Sequence, residues 1–345
     1  MKERLLPMIE LEEVPKTGWH HSQDLENKAQ VAEVVEDVVE TKVVTVKEDL
    51  VTILLGLAFM SIAGVIIRVL LTHLEDFQGE TTSNVAYPQF IGCLIIGILL
   101  EHRMHIESRA HVLYLSLSTG LCGSITTFSG VILVATEQIV NSEHYDRNTF
   151  ENILAGIGIY INGFGASLIG FVLGRHLALL FDPAKKDSTT DKTVKSINLL
   201  VLRYIFGILT VGLLVGAIMF TIFIPKLRKY TFCMFFGPFG TFCRWLLGKL
   251  NPKWHCFPIG TFIANVSGSI ILTVLYRLSQ NVDNSGIVYD ILYGLMIGFC
   301  GCYTTVSSWI VELSGISKKR AYFYGLSSVI AAQIPSIIIL VIWKE

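Results

Sequence analysis

Charge is what this chain has least of. Only 16% of its 345 residues are Asp, Glu, Lys or Arg, against roughly 25% in an average soluble protein. The formal net charge of -1 leaves no basic surplus to attract nucleic acid. None of the seven cysteines forms a C-x-x-C pair, and Cys300 and Cys302 have no histidine nearby. That spacing excludes a dithiol or zinc centre, and all seven cysteines read as small buried hydrophobes. The chain has no Walker A loop, no H-E-x-x-H and no G-x-S-x-G, which argues against an ATP-driven pump, a membrane hydrolase and enzymatic activity generally. Met1–Val46 contains no apolar core, so no cleavable signal peptide is expected. Residues 1–47 read as a polar, acidic-leaning, solvated tail.

What the chain does have is hydrocarbon: 52% of its residues are hydrophobic. A helix needs about 20 apolar residues to cross a bilayer. On that measure the sequence predicts nine spans, at 48–73, 84–100, 111–136, 151–181, 198–224, 230–250, 257–279, 287–313 and 321–343. Lys and Arg in the connecting loops place the N-terminus in the cytoplasm and the C-terminus outside. One cluster, Lys226, Arg228 and Lys229, then falls on the outer side against that rule.

Two segments are near-copies. Gly120–Ser129 reads GLCGSITTFS and Gly298–Ser307 reads GFCGCYTTVS. Both are small, hydroxyl-rich interruptions of apolar runs, and irregular backbone at that depth is tolerated only when buried in protein or lining a cavity. Gly64–Arg68 and Gly240–Arg244 both read G-x-x-x-R, and Tyr87–Pro88 and Phe257–Pro258 each precede a span. Three landmarks in one order predict two inverted four-helix repeats, 48–197 and 226–345, joined by a linker helix at 198–225 that turns the second upside down. The fold class expected is thus an all-α integral membrane bundle with broken third helices.

Thr261 and Asn265 lie on one helix face about 6 Å apart, with Ser269 beside them. Such groups serve either as interhelical glue or as a polar path. The breaks can free carbonyls for a cation. The positive edge of Phe128, together with Asn and Thr donors, suits a small anion better. Glu312 closes the eighth span. Arg68 and Arg244 can snorkel, pair or attract anions. Tyr160, Tyr324 and Ser328 are further polar positions in the spans.

At these residues the chain resembles the fluoride channel family (Fluc/CrcB-like), in its eukaryotic form with two fused inverted domains. The segments carrying the resemblance are Gly240–Arg244, Gly260-Thr261…Asn265…Gly268 and Gly298–Glu312, with Gly64–Arg68 and Gly120–Ser129 in the first half. The resemblance implies a passive fluoride channel in the plasma membrane, functional as a monomer in the lipid bilayer. It implies a pore through Asn265, Thr261, Phe128, Trp309, Ser269, Glu312, Tyr324 and Ser328, with Arg68 and Arg244 as vestibule or structural residues. It also implies a central structural sodium ion on carbonyls of Gly123, Thr126, Gly301 and Thr304. Aligning Gly97 with Gly268 puts Leu94 opposite Asn265, and aligning the two breaks puts Val306 opposite Phe128 and Val134 opposite Glu312. On that alignment one pore works and the other is vestigial. A proton-coupled antiporter and a non-transporting scaffold are the rival readings; the first leans on an intramembrane carboxylate, and the predicted spans place none near a midplane.

Overall fold

The computed structural model describes residues 50–75, 84–181, 197–254, 256–284 and 286–342. The predicted N-terminal tail and the Lys185–Lys195 loop lie outside them. Eleven helices carry the architecture. They are α1 (Leu50–Glu75), α2 (Ala86–Glu101), α3 (Arg103–Leu115), α4 (Phe128–Val140), α5 (Thr149–Leu180) and α6 (Leu199–Phe223), then α7 (Arg228–Gly248), α8 (Ile259–Ser279), α9 (Ile287–Tyr293), α10 (Ser307–Gly315) and α11 (Lys318–Ile342). No strand occurs among the described residues.

Local chemistry sets the helix ends. Asn148 Oδ1 accepts from Glu151 N at 3.0 Å while Asn148 N donates to Glu151 Oε2 at 2.8 Å, a capping box that starts α5. Asn198 caps α6 through Leu200 N. Asn141, at φ 52°, ends α4 in the left-handed conformation that Asn tolerates.

The packing is inverted relative to a soluble protein. Ile161, Ile169, Ile208 and Phe223 are exposed, whereas Ser116, Thr126, Ser129, Asn265, Thr304 and Ser307 are fully buried. An apolar exterior around a hydroxyl-rich interior is what lipid as solvent demands. Seven described helices, counting 103–140 and 287–315 as one each across their breaks, are long and apolar enough to cross a membrane. The two other predicted spans are helical but fall short of that measure: α2 has 16 residues, and α7 carries Arg228, Lys229 and Arg244.

Two members of the Lys226, Arg228 and Lys229 cluster find local partners. Arg228 Nε pairs with Asp290 Oδ2 at 2.6 Å, and Lys229 Nζ lies 5.0 and 5.1 Å from the rings of Tyr230 and Tyr293. The expectation that every cysteine is buried holds for Cys93, Cys122, Cys233, Cys300 and Cys302; Cys243 and Cys256 are exposed.

Two helix packings position the site. α8, α4 and α11 pack mutually, with side chains between them. α2 and α5 instead meet backbone to backbone. A Cβ on Gly97 would collide with Phe171 O, one on Gly170 with Phe90 O and one on Gly174 with Leu94 O. Gly174→Val should therefore lower the unfolding midpoint in detergent, at a cost of about 1–3 kcal/mol from forced separation. Gly158→Val on the same helix faces open space and should leave the midpoint unchanged.

Candidate functional site

Each break follows a stretch of π-helix, Ser116–Cys122 in the first half and Gly294–Cys300 in the second. The backbone then extends, at Thr126 (φ -82°, ψ 152°) and Thr304 (φ -97°, ψ 158°). The amides freed at the start of the next helix are satisfied across the molecule. Ser307 N donates to Thr126 Oγ1 at 3.1 Å, and Ser129 N donates to Thr304 Oγ1 at 3.1 Å. Hydroxyl pairs Thr126–Thr305 and Thr127–Thr304, both 3.3 Å, close the exchange. Each break thus caps the helix leaving the other.

The two arginines also cross over. Arg244 donates from Nε to Cys302 O at 2.8 Å and from Nη2 to Thr119 O at 2.7 Å. Arg68 donates from Nη2 to Ile297 O. Their guanidinium groups lie over Gly123 and Gly301, where any Cβ would collide with them. Among the described residues, no hydrogen bond uses the carbonyl oxygens of Gly123, Thr126, Gly301 or Thr304. Neutral carbonyls of this kind are the donors a hard monovalent cation takes, so the residues fit a sodium ion. The guanidinium charges over both glycines set the repulsion such an ion must overcome.

Asn265 is fully buried and clamps the second break from both sides. Its Nδ2 donates to Thr305 O at 3.1 Å and its Oδ1 accepts from Thr305 N at 2.9 Å. The first half has a counterpart the sequence alignment missed. Gln89 Nε2 donates to Thr127 O at 2.6 Å. A Cβ on Gly92 would meet Thr126 Cγ2 just as one on Gly268 would meet Thr304 Cγ2. The residue opposite Asn265 is therefore Gln89, not Leu94. Gly97, the glycine used for the alignment, belongs to the α2–α5 contact instead. The corrected register puts Val85 opposite Thr261 and Cys93 opposite Ser269. Gln89→Ala would leave Thr127 O unpaired in the core, an expected loss of about 1–3 kcal/mol that a thermal unfolding series should register.

The remaining predicted residues form a buried polar seam. On α8 the seam steps every four residues through Thr261, Asn265, Ser269 and Thr273. Thr261 Oγ1 donates to Glu312 Oε1 at 2.6 Å, Asn251 Nδ2 to the same oxygen at 2.9 Å and Tyr324 Oη to Glu312 Oε2 at 2.8 Å. Glu312 is thus a carboxylate held inside the bundle by three neutral donors. Ser269 and Ser328 return their hydroxyls to Asn265 O and Tyr324 O.

Phe128 is fully buried. Its ring meets Trp309 edge-on (5.4 Å, 72°) and Phe164 at 5.7 Å. The Trp309 indole N–H is buried without an acceptor. Beyond these residues the seam continues. Thr273 donates to Ser336 Oγ at 3.1 Å, Gln333 Nε2 to Thr136 Oγ1 at 2.9 Å, and Tyr160 to Gln333 Oε1. Thr273 was legible, because it extends the four-residue step from Thr261. Asn251, Gln333, Ser336 and Thr136 carry no such signal, since only tertiary packing brings them together.

The family described as CrcB-like protein, Camphor Resistance (CrcB), matches residues 55–171 and 231–342. Fluoride export protein 1 of Candida albicans is 30% identical over 316 residues, covering 84% of this chain and 79% of the relative. Fluoride export protein 1 of Schizosaccharomyces pombe is 26% identical, over 78% of this chain and 89% of its own. Fluoride-specific ion channel FluC 1 of Brucella melitensis is 33% identical over 104 residues, 28% of this chain but 82% of its own. No solved structure matches.

Proposed function

The chain belongs to the CrcB-like family, and from that premise we propose that it is a passive channel exporting fluoride from the cytoplasm across the plasma membrane. The names of its relatives support the substrate. The observation that carries the reading is the seam itself: hydroxyl and amide donors from Thr261 to Thr273, with the unpaired indole N–H of Trp309 beside Phe128. Of these donors only the Trp309 indole N–H lacks an acceptor, and a donor without an acceptor at bilayer depth is costly unless something anionic passes it.

In this reading an inverted pseudo-twofold relates 48–197 to 226–345 across nine spans, with α6 as the linker, and the reciprocal caps and crossed arginines support it. One pore conducts, using Asn265 from the second half and Phe128 from the first. Glu312 keeps Thr261, Tyr324 and Asn251 aligned along the path. The other pore is vestigial: Val85 and Val134 replace its polar positions, and the α2–α5 glycine contact leaves it no width. Carbonyls of Gly123, Thr126, Gly301 and Thr304 would hold a structural sodium ion, which supplies a fixed positive charge between the halves. The N-terminus is cytoplasmic and the C-terminus extracellular. No energy source is needed, because an inside-negative potential favours anion exit at about 2.3 kcal/mol per 100 mV.

The test is fluoride efflux from liposomes holding the purified protein, with chloride as comparison. Electrogenic efflux independent of a proton gradient supports the channel. Dependence on that gradient indicates an antiporter, and absence of flux a scaffold. Leu94→Ala and Val306→Ala should keep efflux within about twofold, a barrier change under about 0.4 kcal/mol, although Val306 shares a buried cluster with Phe128 and Trp309.

A further inference from the structure

A groove of about 540 Å³ opens between α5, α10 and α11. Tyr160 and Phe164 line it from α5, Trp309 and Leu313 from α10. The Tyr160 and Phe164 rings stack at 5.6 Å and form a flat aromatic side. On α11 the lining runs from Ala321 through Gly325 to Val329, about 12 Å of helix. A Cβ on Gly325 would meet Leu313 and Trp309 only at ordinary contact distance. Any larger side chain there would project into the groove.

Three cations stand where α11 begins. Lys318, Lys319 and Arg320 open its first turn, which holds no acidic residue. All three are exposed, and none forms an ion pair among the described residues. The same turn carries the positive end of the helix dipole and amides without helical acceptors, so positive charge accumulates with nothing to balance it. The Lys226, Arg228 and Lys229 cluster differs, since Arg228 has Asp290 and Lys229 has two aromatic rings. Charge and groove are continuous. Lys318 precedes Tyr322, Gly325 and Val329 by four, seven and eleven residues, and Lys319 precedes Tyr322 and Leu326 by three and seven. Those spacings share a helix face.

An apolar groove bathed in lipid gains little by being filled, because hydrocarbon already surrounds it. The cations decide the occupant, which must join a hydrocarbon tail to a negative charge. We propose that the groove holds an acyl chain of an anionic glycerophospholipid, whose phosphate sits at the start of α11 against Lys318 and Lys319. The free amides of the first turn add donors to the phosphate oxygens. In the proposed orientation this turn meets the cytoplasmic leaflet, the one that carries anionic lipid. The chain packs against the Trp309 indole and ties α10 to α11. The site does not require that the seam conduct fluoride.

The experiment is native mass spectrometry and thermal unfolding of the full chain in detergent, with dioleoyl phosphatidylserine or dioleoyl phosphatidylcholine added at equal mole ratio. Phosphatidylserine should be retained as a single tightly held lipid and raise the midpoint by about 2–5 °C, and phosphatidylcholine, with the same tails, by less than about 1 °C. Lys318→Gln combined with Lys319→Gln should weaken phosphatidylserine binding about tenfold or more and bring the two lipids level. Gly325→Leu keeps the cations but fills the groove, and should abolish the retained lipid; Gly158→Leu, which faces open space on α5, should not. If Gly325→Leu does not fold, the exposed lysine pair decides the matter. Asn265→Asp should lose efflux yet keep the lipid response, which separates this site from the channel reading. Equal responses to the two lipids in the parent overturn the proposal. A phosphatidylserine preference that survives the lysine changes overturns the headgroup assignment, and one that survives Gly325→Leu reduces the site to surface charge and overturns the groove. A rise with a sterol and with neither phospholipid also overturns it.

Discussion

Asn265→Asp should reduce fluoride efflux by at least about 100-fold, which corresponds to roughly 2.7 kcal/mol on the barrier. Two effects add. The substitution removes the Nδ2 donor that holds Thr305 O, leaving a buried carbonyl unpaired at about 1–3 kcal/mol. It also sets a carboxylate on the proposed anion path, where like charge in a low-dielectric setting repels strongly. Asn265→Gln keeps the amide chemistry that Gln89 supplies in the other half. It should recover part of the rate, limited by the extra methylene in a packed site. Near-parent efflux in Asn265→Asp would assign the side chain to helix packing alone.

Phe128→Leu should lower efflux by about tenfold or more while changing stability by less than about 1.5 kcal/mol. Phe128→Ala is less informative, because deleting a fully buried ring costs about 3–5 kcal/mol through the cavity it leaves. Leucine keeps the apolar volume but removes the positive ring edge, and with it the edge-on contact to Trp309. The split between rate and stability is the readout. Efflux at the parent level with lowered stability would make Phe128 core filler. Equal loss in Val306→Ala, the position matching Phe128 in the other half, would count against a single conducting path.

The sequence displayed the breaks because their chemistry is local: glycines, paired threonines and a following serine announce an interrupted helix wherever they sit. Thr261 and Asn265 were legible for the same reason, since a four-residue step fixes a shared face. The exchange between breaks was not legible. Nothing in the residues around Thr126 says that its hydroxyl caps Ser307, 181 positions away. The pairing of Gln89 with Asn265 was misread as Leu94, because two glycines of α2 serve different neighbours. Gly92 admits the break, and Gly97 admits α5. Pattern cannot distinguish a glycine required by one helix from a glycine required by another.

Asn265 and Phe128 come from opposite halves, and the account requires that they serve one path. The most direct measurement is fluoride efflux from liposomes for Asn265→Asp, Phe128→Leu and the double variant at matched protein density. The account predicts that each single change removes about nine-tenths or more of the flux. Parallel paths would leave about half the flux in each single variant and none in the double, and that result would contradict it.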